Sequence, residues 1–101
     1  MTQTTLFVNR FFQDIPPDGT LYFTLGPANF QGAVTVTAHP AGSISAPPQF
    51  MEVIQMATRT ESLQHPGEPL HILDIVVRNN AHVGGPGGTI STFDVFTTVI
   101  S

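Results

Sequence analysis

The chain has 101 residues, of which only 10% are charged, and none of the charged residues is a lysine. Soluble domains average roughly 25% charged residues, so the surface is expected to be largely uncharged and easy to desolvate against another protein. The net charge of −4 provides no basic footprint for nucleic acid or an anionic membrane, and the absence of cysteine excludes disulfides and thiolate metal sites.

A chain of this length is expected to form a single domain over residues 1–101, with a stability of roughly 5–15 kcal/mol. The first residues lack a basic region followed by an apolar stretch, and every apolar run is far shorter than the ~20 residues that span a bilayer. We therefore expect neither a signal peptide nor a transmembrane segment, and a location in the cytoplasm or within a larger particle.

The first half of the chain alternates turn residues with short runs of β-branched and aromatic residues, a pattern typical of all-β domains. Three strands are predicted there, over residues 5–12, 20–25 and 32–39. Ile15-Pro16-Pro17 ends the first strand, and Asp18-Gly19 supplies the turn before the second. The second and third strands are expected to form a hairpin across the loop from Gly26 to Gly32.

The middle of the chain is ambiguous between a strand and a short helix. Four apolar residues follow helical spacing after Pro48, which allows a helix around residues 49–57: Phe50, Val53, Ile54 and Ala57. The neighbouring predicted strands favour a strand over residues 50–58 instead. Two longer strands, over residues 70–79 and 90–100, complete the chain.

These elements predict an antiparallel β-sandwich of six or seven strands. The alternating strands and the turn Val76-Val77-Arg78-Asn79-Asn80 resemble immunoglobulin-type sandwiches in their general pattern, and a jelly-roll order is the alternative. Architecture of this kind does not by itself indicate a function.

The last two strands carry large apolar residues on both faces, whereas a sheet with one face in water should alternate more cleanly. His71, Leu73, Ile75 and Val77 form one face of the first, and Phe93, Val95 and Val99 one face of the second. The opposite faces include Ile90. They are either partly covered by loops in a strongly twisted sheet or packed against another subunit. The predicted subunit-interface residues are Asp74, Arg78, Asp94, Phe96 and Ile100. If the two strands pair, Asp74 and Asp94 share one face, with Arg78 as their salt-bridge partner.

Catalytic and metal-binding patterns are absent from the sequence. The four histidines, at positions 39, 65, 71 and 82, lack the tight spacing of a metal site. No nucleophile elbow, zincin motif or phosphate loop occurs, and two common nucleophiles, cysteine and lysine, are missing altogether. We therefore predict that the chain is not an enzyme and binds neither a metal nor a cofactor.

Two loops are candidates for contact with a ligand or a partner. The segment 79–88 places four glycines around Pro86 and is either a plain hairpin connection or a contact loop that uses Asn79, Asn80 and His82. Asn29 and Phe30 lie in the other loop. Together these residues offer a weak carbohydrate-type arrangement, since an aromatic ring and amide groups are what sugars contact.

Two functions are compatible with this sequence. The first is a non-enzymatic structural module that forms a symmetric oligomer or packs onto a larger particle, of the virion or phage decoration type. Its partners would be further copies of the chain or other structural subunits, and neither nucleic acid nor a membrane. The alternative is a small lectin-like or peptide-binding module, whose partner would be a glycan or a peptide.

Overall fold

The computed structural model describes residues 3–28, 30, 32–41, 49–60, 71–83 and 87–101. Within these ranges the chain forms six strands and no helix: β1 (Thr4–Phe11), β2 (Thr20–Ala28), β3 (Ala33–Pro40), β4 (Met51–Thr60), β5 (His71–Asn79) and β6 (Phe93–Ile100). All pairings are antiparallel. They build two three-stranded sheets, which we name sheet A, with the order β1-β6-β3, and sheet B, with the order β2-β5-β4.

The predicted all-β, antiparallel class is confirmed, whereas the short helix around residues 49–57 is wrong, because this segment is β4. The helical spacing has a local cause. A β-bulge lies between Val53 and Gln55 and inserts an extra residue into the strand. Val53 and Met56, three positions apart, therefore both pack against the core, which imitates the periodicity of a helix.

The predicted hairpin between β2 and β3 is also wrong. β2 pairs with β5 in sheet B and β3 pairs with β6 in sheet A, so the stretch from Gly26 to Gly32 crosses between sheets. Both glycines have positive φ angles, 109° and 130°. A Cβ at Gly26 would lie 2.7 Å from the carbonyl oxygen of His71, and a Cβ at Gly32 would collide with that of Ile100. These positions require glycine for close approach to the neighbouring strands.

Ile90 does not continue the outward face of the last strand as predicted, since β6 begins only at Phe93. Instead Ile90 forms an isolated antiparallel bridge with Ile15, in which each backbone N–H donates to the other residue's carbonyl, at 2.7 and 3.0 Å. Both side chains are fully buried. The bridge ties the segment before β2 to the segment before β6.

The core lies between the inward faces of the two central strands, as the alternation of their residues predicts. The buried residues of these faces are Leu73, Ile75 and Val77 on β5 and Phe93, Val95 and Val99 on β6. Aromatic rings join the two sheets: the Phe11 ring of sheet A lies 4.6 Å from the Phe23 ring of sheet B, and Phe93 stacks on Phe11 at 5.2 Å. The two sheets therefore share one hydrophobic core.

Candidate functional site

The predicted interface residues lie on two different surfaces. β5 and β6 do not pair, because each is the central strand of its own sheet. Asp74 and Arg78 lie on the face of sheet B opposite to its core residues, whereas Asp94, Phe96 and Ile100 lie on the corresponding face of sheet A. The expectation that Asp74 and Asp94 share one face is wrong, since it required a pairing between these two strands.

The predicted salt bridge from Arg78 to these aspartates is wrong as well. Asp94 is held by Arg10, whose Nε and Nη2 donate to Oδ1 and Oδ2 at 2.7 and 2.9 Å. Asp74 accepts from the Tyr22 hydroxyl at 2.5 Å and from Arg59 Nε at 2.9 Å. Arg78 is instead 3.5 Å from Asp18. These partners lie 15 or more positions apart in the sequence, so local patterns do not reveal them.

The hydrogen bonds to the carboxylates also shift their titration. The hydrogen bond from Arg10 is the main cause that lowers the pKa of Asp94, and the hydrogen bond from Tyr22 has the same effect on the pKa of Asp74. Both groups therefore favour the charged form, in which each accepts these bonds. The charge of Asp94 is neutralised by the bidentate guanidinium of Arg10.

The outer face of each sheet is the one opposite to its core residues, and the outer face of sheet A carries fewer charged residues than that of sheet B. It consists of Thr4, Leu6, Val8 and Arg10 on β1, Asp94, Phe96, Thr98 and Ile100 on β6, and Ala33, Thr35, Thr37 and His39 on β3. Leu6, Val8 and Ile100 expose 58%, 55% and 44% of their surface. The rings of Phe96 and His39 form a T-shaped pair, with their centres 5.3 Å apart. Apart from the Arg10–Asp94 pair at one end, this face carries only apolar side chains, threonines and His39.

The outer face of sheet B differs in its charge. The Asp74–Arg59 pair and Arg78 lie among its exposed apolar residues Tyr22 and Ile54. Removing these charged groups from water is costly unless a partner replaces the lost solvation. Of the two surfaces, the outer face of sheet A is therefore the easier to bury.

Two of the predicted contact-loop residues are part of the core. Phe30 is buried and packs its ring edge-on to Phe7 at 5.3 Å. The Asn79 side chain is fully buried, and its Nδ2 donates to the carbonyls of Ile15 and Gly88 at 2.9 Å each. Its Oδ1 accepts from the Ala81 N–H at 3.0 Å. Neither side chain is accessible to a ligand, so both predictions are corrected, and Asn29 lies outside the described residues.

Asn80 and His82 do line a surface cavity of about 590 Å³. Its other lining residues are Ala38, His39 and Pro40 at the end of β3, Gln49, Phe50 and Met51 around the start of β4, and Ala81 after β5. Sequence reasoning missed the contribution of β3 and β4, because their proximity depends on how the two sheets pack. Among the described residues, no carboxylate, lysine or arginine lines the cavity, and this part of its wall suits an uncharged group.

The polar side chains that line the cavity differ in whether they already make hydrogen bonds. Gln49 Nε2 donates to the Thr89 carbonyl at 3.1 Å, and His82 Nδ1 lies 3.2 Å from a carboxylate oxygen of Asp18. That carboxylate also accepts the Val83 N–H, the main cause of its lowered pKa. The Asn80 side chain makes no hydrogen bond to any described residue, so its amide is available to a ligand.

The two aspartates that the sequence placed on one face lie in different sheets, and the potential metal ligands are spread over the described part of the chain. Asp74 and Asp94 do not converge, and the described residues contain no group of three or more histidine, aspartate or glutamate side chains able to hold a metal ion. No family model, curated protein or solved structure matches the chain. In the described ranges no helix has the length and hydropathy needed to cross a membrane.

Proposed function

We propose that this chain is a non-catalytic assembly module whose outer face of sheet A packs against another copy, within a symmetric oligomer or a larger particle of the virion or phage shell type. The observation that supports this most directly is the register of β1 on β6. It places the exposed Val8 opposite the half-buried Phe96 and the exposed Leu6 opposite Thr98, which makes a strip of apolar and threonine side chains. Exposed strips of this kind favour protein contact.

We also propose that the two sheets form a β-sandwich with an immunoglobulin-like strand order. Immunoglobulin sandwiches place strands B, E and D side by side in one sheet and C, F and G in the other. The order β2-β5-β4 corresponds to B-E-D, and β3 beside β6 corresponds to C beside F. In this correspondence β1 takes the place of G at the open side of β6, which leaves the outer face of sheet A bounded by β1.

A second copy is the partner that best fits this face. Two copies present the same neutral surface to each other, and the paired charges of Arg10 and Asp94 avoid like-charge repulsion. Three strands of eight residues cover about 370 Å² at usual strand spacings. This is below the roughly 800 Å² per partner of a standard interface. A single face-to-face contact is therefore expected to be weak, and an assembly would need many such contacts to be stable.

The substitution Phe96→Asp tests this proposal, because it places an unpaired charge at the centre of the outer face of sheet A. We expect the wild-type mass in sedimentation experiments to rise above 10.8 kDa between about 10 and 500 µM. Phe96→Asp should reach a smaller mass than the wild type over this range, with an unchanged β-type circular dichroism spectrum.

The matched control is Ile54→Asp, which introduces the same charge on sheet B at a side chain that is 47% exposed. It should associate as the wild type does. A wild type that remains monomeric throughout, or two variants with equal effects, would contradict the proposal.

A second candidate function, a small binding module, is favoured by the cavity beside Asn80. Its volume of about 590 Å³ lies within the roughly 300–1,000 Å³ of small-molecule sites. The apolar lining of Pro40, Phe50 and Met51 with one unengaged amide suits an uncharged sugar or an aromatic peptide side chain. This candidate keeps Asn80 and His82 from the predicted contact residues, omits Asn79 and Phe30, and adds His39 and Phe50.

Titration of the protein with glucose, galactose and N-acetylglucosamine, followed by amide NMR, tests the carbohydrate form of this candidate. Binding should shift the amide signals of Phe50, Asn80 and His82 first, and Asn80→Ala should reduce the shifts. A spectrum that stays unchanged at all three residues at millimolar sugar would remove the carbohydrate form.

A further inference from the structure

The open edge of β1 lacks the devices that usually protect a strand edge. Natural edges are blocked by lysine, proline or β-bulges, which prevent pairing with other chains. β1 has none of these: it pairs with β6 over eight uninterrupted positions, and its single charged side chain, Arg10, is held by Asp94. No described residue pairs with its other side.

Each of the remaining described edges carries one such device. β2 contains Pro27 and an irregularity between Leu25 and Ala28, and β4 contains the bulge after Val53. β3 ends at Pro40 and lies beside β4 of the other sheet. Among the edges that the structure describes, β1 therefore offers the longest uninterrupted run to an added strand, eight paired positions against six in β2.

The hydrogen bonds next to β1 show which of its backbone groups point outward. Gln3 and Ser101 exchange both backbone hydrogen bonds, at 3.0 and 2.9 Å. Antiparallel pairs alternate between hydrogen-bonded and non-hydrogen-bonded positions, so Thr5, Phe7, Asn9 and Phe11 also direct their backbone groups toward β6. It follows that the backbone N–H and C=O groups of Thr4, Leu6, Val8 and Arg10 point to the open edge.

We propose that β1 pairs antiparallel with β1 of a second copy, about a two-fold axis at Phe7, and joins two A sheets into one six-stranded sheet. This inference rests on the proposed function and specifies its first contact. Leu6 then lies opposite Val8 of the second copy, and Thr4 lies opposite Arg10. All outward-pointing backbone groups of β1 find partners in this arrangement.

The alternation of side chains selects this register. A two-fold axis perpendicular to the sheet pairs outer-face residues with outer-face residues. It must therefore lie midway between the two copies of one residue, which face each other across the new pairing. An axis at Phe7 makes four hydrogen-bonded pairs from the outward positions of β1. An axis at Val8 makes three, because Thr4 would then lie opposite Phe12, beyond the end of the strand. The axis at Phe7 also brings Leu6 and Val8 into direct apolar contact.

A second copy fits this edge because the pairing is self-complementary and enlarges the apolar face. Pairing joins two outer faces of sheet A side by side, which doubles the area to about 740 Å² at usual strand spacings. This approaches the roughly 800 Å² per partner of a standard interface. An edge-paired dimer thus presents the continuous surface that a single copy lacks for stable stacking.

The substitution Val8→Pro tests the pairing, because it removes an N–H that points to the open edge and leaves the bonds between β1 and β6 in place. We expect it to weaken dimerisation by at least about ten-fold in sedimentation equilibrium. The control Val8→Ala keeps the N–H and should stay within about three-fold of the wild type. A Val8→Pro variant that associates like the wild type would overturn the inference.

Cross-linking tests the register in a chain that remains able to pair, so it does not depend on how the proline variant folds. The chain has no cysteine of its own. A mixture of Leu6→Cys and Val8→Cys chains should form disulfide-linked dimers faster than either variant alone, since position 6 lies opposite position 8. Faster linking of either variant with itself would overturn the axis at Phe7.

The outcomes also separate this inference from the proposed function. If the wild type associates and only Phe96→Asp prevents it, the contact on the outer face remains and the edge pairing is wrong. If the wild type is monomeric at all concentrations, self-assembly fails at both surfaces.

Discussion

Replacing Phe93 with alanine is expected to lower the free energy of unfolding by about 3–5 kcal/mol, the range for deleting a large aromatic side chain from a core. Phe93 is fully buried on β6, stacks on Phe11, and has its ring centre 6.0 Å from that of Phe23 in the other sheet. Since a domain of this size has roughly 5–15 kcal/mol in total, the variant would be close to unfolding. Urea denaturation followed by circular dichroism measures the change.

The matched control is Phe12→Ala, which deletes the same ring one residue after β1, where 75% of the side chain is exposed. Its effect should stay within about 0.5 kcal/mol. A double-mutant cycle between Phe23 and Phe93 should give a coupling energy of about 0.5 kcal/mol or more, because their rings pack against each other across the two sheets. Equal effects of Phe93→Ala and Phe12→Ala would contradict a core shared by the two sheets.

Replacing Asn79 with alanine is expected to cost about 3 kcal/mol, because three hydrogen bonds of a buried side chain are lost. The Ala81 N–H and the Gly88 carbonyl lose this partner, and the Ile15 carbonyl keeps only its bond from the Ile90 N–H. The Asn79 amide holds the Ile15 and Gly88 carbonyls and the Ala81 N–H, so it joins the segment before β2 to both ends of the loop after β5. Thermal and urea denaturation of the purified variant measure the loss.

Asn80→Ala provides the control at the next position. Asn80 is only partly buried, and its side chain makes no hydrogen bond to a described residue, so the substitution should change stability by less than about 0.5 kcal/mol. The two variants are also expected to differ in their effect on the cavity. Asn79→Ala should disturb it indirectly through Ala81, whereas Asn80→Ala removes an amide from its wall. Asn79→Ala with a stability near that of Asn80→Ala would show that water replaces the three lost bonds.

The inward faces of β5 and β6 were predictable because their information is local. Leu73, Ile75 and Val77 alternate with more exposed residues at the period of a strand, and burial follows this alternation in the structure. The same local logic led to the helix prediction in β4, since a bulge changes the period from two to three at Val53 and Met56. Periodicity therefore located strands well where the ladder was regular.

The candidate sites were less predictable, because they depend on which strands become neighbours. Arg10 and Asp94 are separated by 84 positions in the sequence and yet form a bidentate pair. Asn79 was predicted to be a contact residue from its place in a glycine-rich loop. Its amide is instead buried and makes hydrogen bonds to the backbone of Ala81 and Gly88 at the two ends of that loop. Loop composition predicts exposure of the backbone, but whether one polar side chain turns inward depends on the carbonyls that surround it.

The pairing of Gln3 with Ser101 has a mechanical consequence. The two residues lie side by side at one end of the β1–β6 ladder, with hydrogen bonds perpendicular to the strands. A force that pulls Gln3 away from Ser101 would act on this first pair of hydrogen bonds alone. The hydrogen-bonded pairs along the ladder would then break one after another. A ladder pulled apart in this way resists less force than one sheared along its length, so a force applied at these two positions would detach β1 from the sheet first.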